Sequence, residues 1–139
     1  MMKFVFGILF VLAFYEEVRG DTVCHNCTMN TKDDSTSVIC TSTSNLTSIP
    51  QCFPTNITVL FLEGGNIHEL QDDAFKMYTN LVYLSLSNNS IHTVGANAFR
   101  KLTNLSYLDL SSNNIEKLDN DTFTPIAELT ILYFTRPAA

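Results

Sequence analysis

The sequence predicts an α/β-type repeat solenoid, a right-handed coil with short parallel strands on its concave face and a disulfide-bonded amino-terminal cap. Three observations predict it. One pattern recurs three times at a 24-residue step between Ile57 and Leu129. Within each copy, apolar residues alternate with polar or aromatic ones at strand period. All four cysteines crowd between Cys24 and Cys52, ahead of the first copy.

The middle copy shows how the unit folds. Leu81, Leu84 and Leu86 are followed by Asn89, Ile91, Val94, Phe99 and Leu102, and the next copy opens at Leu105. The leucines of the alternating segment point inward and Ser85 outward. Because successive copies run in the same direction, their strands pair in parallel and each needs a returning segment, which sends Ile91, Val94, Phe99 and Leu102 back into the interior. Asn89 and Asn113 stand where the chain leaves the strand, and an amide there both donates to and accepts from backbone groups that lack ladder partners. Phe75, Phe99 and Phe123 share one phase and predict an apolar spine along the return side. In the first copy Gly65 takes the asparagine phase and Asn66 comes one residue late, which predicts a reshaped turn beside the cap. A fourth copy begins with Leu129, Leu132 and Phe134, but Pro137 holds its asparagine phase, so the sequence reads as stopping within a solenoid, as a fragment or truncated product would.

Ahead of the repeats, Lys3 and the apolar run Phe4 to Tyr15 predict a signal peptide over residues 1–20, cleaved after Gly20. An uncleaved anchor is the alternative, but a span needs about 20 residues. Residues 21–54 form the cap and 55–139 the repeats, three complete and the fourth truncated. The cap is too poor in large apolar side chains to hold itself together, so two disulfides are expected in its place. A Cys24–Cys27 bond would close a very small loop and tether nothing. Each of these two is therefore expected to join one of Cys40 and Cys52, in either crossed arrangement. Cys24-His25-Asn26-Cys27 also has the spacing of a zinc half-site, yet Cys40 and Cys52 stand far apart and a secreted chain favours oxidation.

Together the repeats, Val38-Ile39-Cys40 leading to Leu46-Thr-Ser-Ile49-Pro50, and Pro54-Thr-Asn-Ile57-Thr-Val-Leu60 resemble the extracellular leucine-rich-repeat family with a cysteine-bearing amino-terminal cap. The resemblance covers about Cys24 to Phe134, and the chain looks like the amino-terminal regions of Toll-like receptors, Slit-like proteins, matrix proteoglycans and variable lymphocyte receptors. It implies recognition of an extracellular protein or glycoconjugate without catalysis or cofactor, in a receptor-type ectodomain or, alternatively, a structural matrix or adhesion component. The family's usual Cys-x-Cys pair is missing, so its disulfide map does not transfer.

On a concave face the outward positions fall into columns: Val59, Tyr83, Tyr107 and Ile131 in one, Phe61, Ser85, Asp109 and Tyr133 in the next, then Glu63, Ser87, Ser111 and Thr135. The first two columns are the candidate ligand-binding face, because tyrosine gives contact area at low entropic loss. Cross-strand ring packing uses the same residues, and the two roles can hold together. Sequons at Asn26, Asn45, Asn56, Asn88, Asn104 and Asn120 predict a glycoprotein, secreted or on the outer face of the plasma membrane. His68 and His92 share a phase continued by Glu116; a solvated outer row explains them better than a metal site, as no third ligand of known geometry accompanies them. Acidic residues outnumber basic ones 14 to 8, which disfavours nucleic acid and anionic membrane as partners. No stretch after the signal is apolar enough to span a membrane, and self-association through the uncovered carboxy-terminal end is a further expectation. No nucleophile beside a base and no phosphate loop occurs, so no enzyme is expected.

Overall fold

The computed structural model describes residues 27–40 and 46–135. The expected signal peptide, Cys24, Asn26, Asn45 and Pro137 lie outside them. Eight strands follow in order: β1 (Cys27–Lys32), β2 (Ser35–Cys40), β3 (Ile57–Leu62), β4 (Glu69–Leu70), β5 (Tyr83–Ser85), β6 (Thr93–Val94), β7 (Tyr107–Asp109) and β8 (Ile131–Tyr133). Six form one sheet in the order β1-β2-β3-β5-β7-β8, and β4 pairs with β6 on the return side. From β2 onward the large sheet is parallel.

The register follows the 24-residue step. Val59 faces Tyr83, Tyr83 faces Tyr107 and Tyr107 faces Ile131, while Phe61, Ser85, Asp109 and Tyr133 align in the neighbouring column. A slip of one residue would turn the leucines to solvent. Leu60, Leu84 and Leu108 are fully buried beneath the sheet, as are Leu62, Leu86 and Leu110 one pleat further on. Fully burying such a side chain contributes about 1.5–3 kcal/mol. Ile67 and Ile91 close the core from the return side.

The return layer consists of turns and the β4–β6 pair, and no helix occurs among the described residues. Phe75, Phe99 and Phe123 stack there with 6.0 Å between successive ring centroids. Tyr78 is also fully buried; it packs 6.1 Å from Phe53, and its hydroxyl donates to the Pro50 carbonyl. Periodicity alone did not mark Tyr78 as core, because Leu102, one full repeat further on, carries the same phase with a different shape. Burial raises the Tyr78 phenol above its ordinary value.

Each turn out of a strand uses the same backbone device. Gly64, Asn88 and Ser112, one repeat apart, all have left-handed φ, at 67°, 56° and 54°. The residue after two of them is the predicted asparagine. Asn89 Nδ2 donates to the carbonyls of Leu62 (2.8 Å), Leu86 (3.0 Å) and Ser87 (3.3 Å), and its Oδ1 accepts from the Ile67 amide (3.3 Å). Asn113 repeats this with Leu86, Leu110, Ser111 and the Ile91 amide. In the first copy, where Gly65 holds the phase, the Asn66 amide donates to the Leu46 carbonyl at 2.9 Å instead, so that turn is tied to the cap.

The cap extends the sheet. β1 and β2 form an antiparallel hairpin whose two connecting residues, Asp33 and Asp34, have φ of 48° and 65°, the twist that suits a two-residue hairpin loop. β2 then pairs in parallel with β3, with a shift in register between Thr36 and Ser37. Val38 is fully buried and Cys40 nearly so, which joins the cap to the core. A Cys27–Cys40 disulfide crosses the hairpin, one of the two crossed arrangements left open above. Cys52 is disulfide-bonded as well.

Candidate binding face

The outward side of the sheet carries a continuous line of rings. Phe61 lies 4.9 Å from Tyr83, Tyr83 stacks on Tyr107 at 3.9 Å and 9°, and Tyr107 meets Tyr133 at 5.7 Å. The line crosses four strands by stepping between two columns: the parallel register places Tyr83 and Tyr107 side by side, while Phe61 and Tyr133 reach them diagonally. Phe61, Tyr83 and Tyr107 are half-buried against one another, and Tyr133 is exposed. Val59 is half-buried and Ile131 exposed in the same column.

Beside the rings runs a polar strip. Ser85 donates to Glu63 Oε1 and lies 3.5 Å from the Ser87 hydroxyl, and Asp109 Oδ1 accepts from the Ser111 amide at 2.8 Å. Ser85 corrects one expectation: its side chain is on the outward face, yet the residue is only 1% exposed. The cause is size. Between Phe61 and Asp109 in its column and beside Tyr83, a serine is the shortest side chain, and its neighbours and the Glu63 carboxylate close over it. Ser85 therefore orients Glu63 rather than offering contact area.

The Tyr83 phenol is pushed well above its ordinary range, first by burial among its neighbours, then by its hydrogen bond with Tyr107 and by the charges of Tyr107, Asp109 and Glu63. Both carboxylates thus act on one point of the ring line. The strand segments 57–63, 81–87, 105–111 and 129–135 hold no lysine or arginine, so this face is acidic.

The return side differs in kind. His68 and His92 stack at 6.0 Å as their shared phase predicts, with His92 Nδ1 2.9 Å from the Thr93 hydroxyl. Asp72 accepts from the backbone amide of Asn97 at 2.9 Å and from its side-chain amide at 3.1 Å, and these bonds hold its carboxyl below the usual carboxylate range. Arg100 forms a forked pair with Asp73, lowering that carboxyl likewise and raising the guanidinium. These exposed links tie one repeat to the next, and neighbour spacing within a single repeat gave no sign of them. Among the described residues no group of three or more His, Cys, Asp or Glu could hold a metal ion, and no helix is long and apolar enough to cross a membrane.

Of the sequon asparagines within the described residues, Asn56, Asn88, Asn104 and Asn120 are all exposed. Asn56 and Asn104 stand just before the strand segments, Asn88 just after one, and Asn120 on the return side. A search of curated proteins finds no match. A family model described as Leucine rich repeat matches residues 55–115 and again 79–136, and repeats of this kind generally mediate protein–protein binding. The two matches span more than half of the sequence and coincide with the stacked parallel strands, so the chain belongs to the leucine-rich-repeat family.

Proposed function

We propose that the chain is an extracellular recognition module that binds a protein or glycoconjugate ligand through the outward face of its sheet, within a receptor-type ectodomain. The observation that carries this is the unbroken ring line Phe61, Tyr83, Tyr107 and Tyr133, which offers aromatic area and hydroxyls across four strands. The Cys27–Cys40 disulfide, the disulfide-bonded Cys52 and the exposed sequons support the extracellular setting. Val59 and Ile131 extend the apolar area at the flank of the line, while Ser85 positions Glu63 and Asp109 supplies charge. The acidic face fits a protein surface that presents basic side chains, arginine above all, because a guanidinium stacks on rings and pairs with carboxylates at once.

The test is selection of binders from a displayed library of extracellular protein domains, followed by affinity and melting measurements on variants. Tyr83→Ala and Tyr107→Ala are expected to weaken binding by about 2 kcal/mol or more, as loss of a central aromatic anchor does, while each variant stays folded. His92→Ala, on the return side, is the control. Normal binding by the tyrosine variants with loss in His92→Ala would move the ligand to the other face.

A further inference from the structure

Thr122 is fully buried, and its hydroxyl has no hydrogen-bond partner. A hydroxyl buried without a partner is unfavourable, and a methyl-bearing side chain of the same shape would avoid the loss. The repeat shows what the position otherwise takes: Ala98 and Ala74 occupy the same phase one and two copies earlier, and Ala98 is buried without any polar atom in its side chain. The fold thus asks for a small apolar residue here and receives a hydroxyl that it does not use.

The hydroxyl completes the triplet Asn120-Asp121-Thr122, and Asn120 itself is exposed on the return side. The comparison with the strand-entry sequons is informative. At Asn56 the triplet's Thr58 hydroxyl lies 2.7 Å from the Ser35 hydroxyl, and at Asn104 the Ser106 hydroxyl donates to the Val82 carbonyl at 3.2 Å. Those hydroxyls have structural work whether or not a glycan is attached. Thr122 has none, and in the folded chain no enzyme can reach it.

We infer that Asn120 is a glycan-bearing site and that the Thr122 hydroxyl serves glycan transfer to the chain before this repeat closes, not the folded structure. In that step the Asn120 amide nitrogen bonds the anomeric carbon of a pyrophosphate-linked oligosaccharide donor. The bond from that carbon to the pyrophosphate oxygen breaks, the pyrophosphate leaves with the electron pair, and the amide gives up one proton. Folding then buries Thr122 and leaves the modified asparagine outside, in the layer opposite the ring line, where a glycan leaves the sheet face open.

The full chain, with its own first 26 residues, is expressed in mammalian cells, and the peptide containing Asn120 is examined by mass spectrometry before and after enzymatic glycan removal. Occupancy is expected in the parent and in Thr122→Ser, which keeps the triplet, and none in Thr122→Val or Asn120→Gln. Melting of the enzymatically deglycosylated parent and of Thr122→Val, deglycosylated at its other sites, then separates the two roles. The valine variant is expected to melt no lower than the parent. An unoccupied Asn120 in the parent overturns the inference. So does a clear drop in the melting temperature of Thr122→Val that Asn120→Gln does not share, since the hydroxyl would then be structural.

Discussion

Asn89 and Asn113 each satisfy four backbone groups that the strand ladder leaves behind, and each spans two repeats in doing so. Leaving one buried group unsatisfied costs about 1–3 kcal/mol, so Asn89→Ala is expected to lower stability by at least that much, read as a shift of the urea midpoint. Asn89→Asp should be no milder, because a carboxylate cannot donate to the Leu62, Leu86 and Ser87 carbonyls. Tyr83 gives a residue-scale prediction of another kind. Its native phenol ionises above the ordinary value of about 10, whereas the unfolded chain ionises at that value. The stabilisation tied to Tyr83 is whole below about pH 10 and is lost as pH rises from there through the raised native value. Tyr83→Phe, which cannot ionise, should flatten that alkaline fall in melting temperature, and an unchanged fall would place its origin elsewhere.

At the scale of elements, the return layer is more closely fitted than its lack of helix suggests. Gly95 donates to the Leu70 carbonyl at 2.7 Å, and a Cβ on it would sit 2.9 Å from the Asp72 nitrogen and 2.5 Å from Asp72 Oδ1. Gly95→Ala must therefore push two adjacent repeats apart, and a loss of about 1–3 kcal/mol is expected, the usual range for overpacking, measurable by chemical denaturation. A value near zero would mean that the β4–β6 side yields easily. This layer was also the less legible part of the sequence. The inward leucines, the asparagine turns and the outward columns were readable because each repeats an identity or a polarity every 24 residues. The Asp72–Asn97 and Asp73–Arg100 links were not, since each joins positions of different identity that meet only across a repeat. The β1–β2 hairpin escaped notice for a related reason: its strands are rich in Ser and Thr, and its turn is Asp-Asp rather than a glycine-bearing pair. On the candidate face, the columns were legible and the burial of Ser85 was not, because it depends on how far the neighbouring rings and Glu63 extend over it.

At the scale of the whole molecule, the described strands pack chiefly against their sheet neighbours, and the two ends of the sheet are unlike. β1 is a polar edge held by a disulfide, whereas β8 leaves Leu132 41% exposed although Leu60, Leu84 and Leu108 at the same phase are at 0%. Ile131 and Tyr133 beside it are exposed too. A flat apolar edge of this kind invites pairing, so sedimentation of residues 21–139 at micromolar concentration is expected to show self-association that a foreign carboxy-terminal capping unit abolishes. A stable monomer without the added unit would contradict this. The asparagine turns give the same molecule a direction in time. Asn89 fastens the turn that follows β3, and Asn113 the turn that follows β5, so each coil is sealed by a residue belonging to the next. On a ribosome delivering about 5–20 residues per second, a coil would wait on the order of one to five seconds for its seal. Through that interval the backbone groups that the next repeat's asparagine will bond have yet to meet that partner.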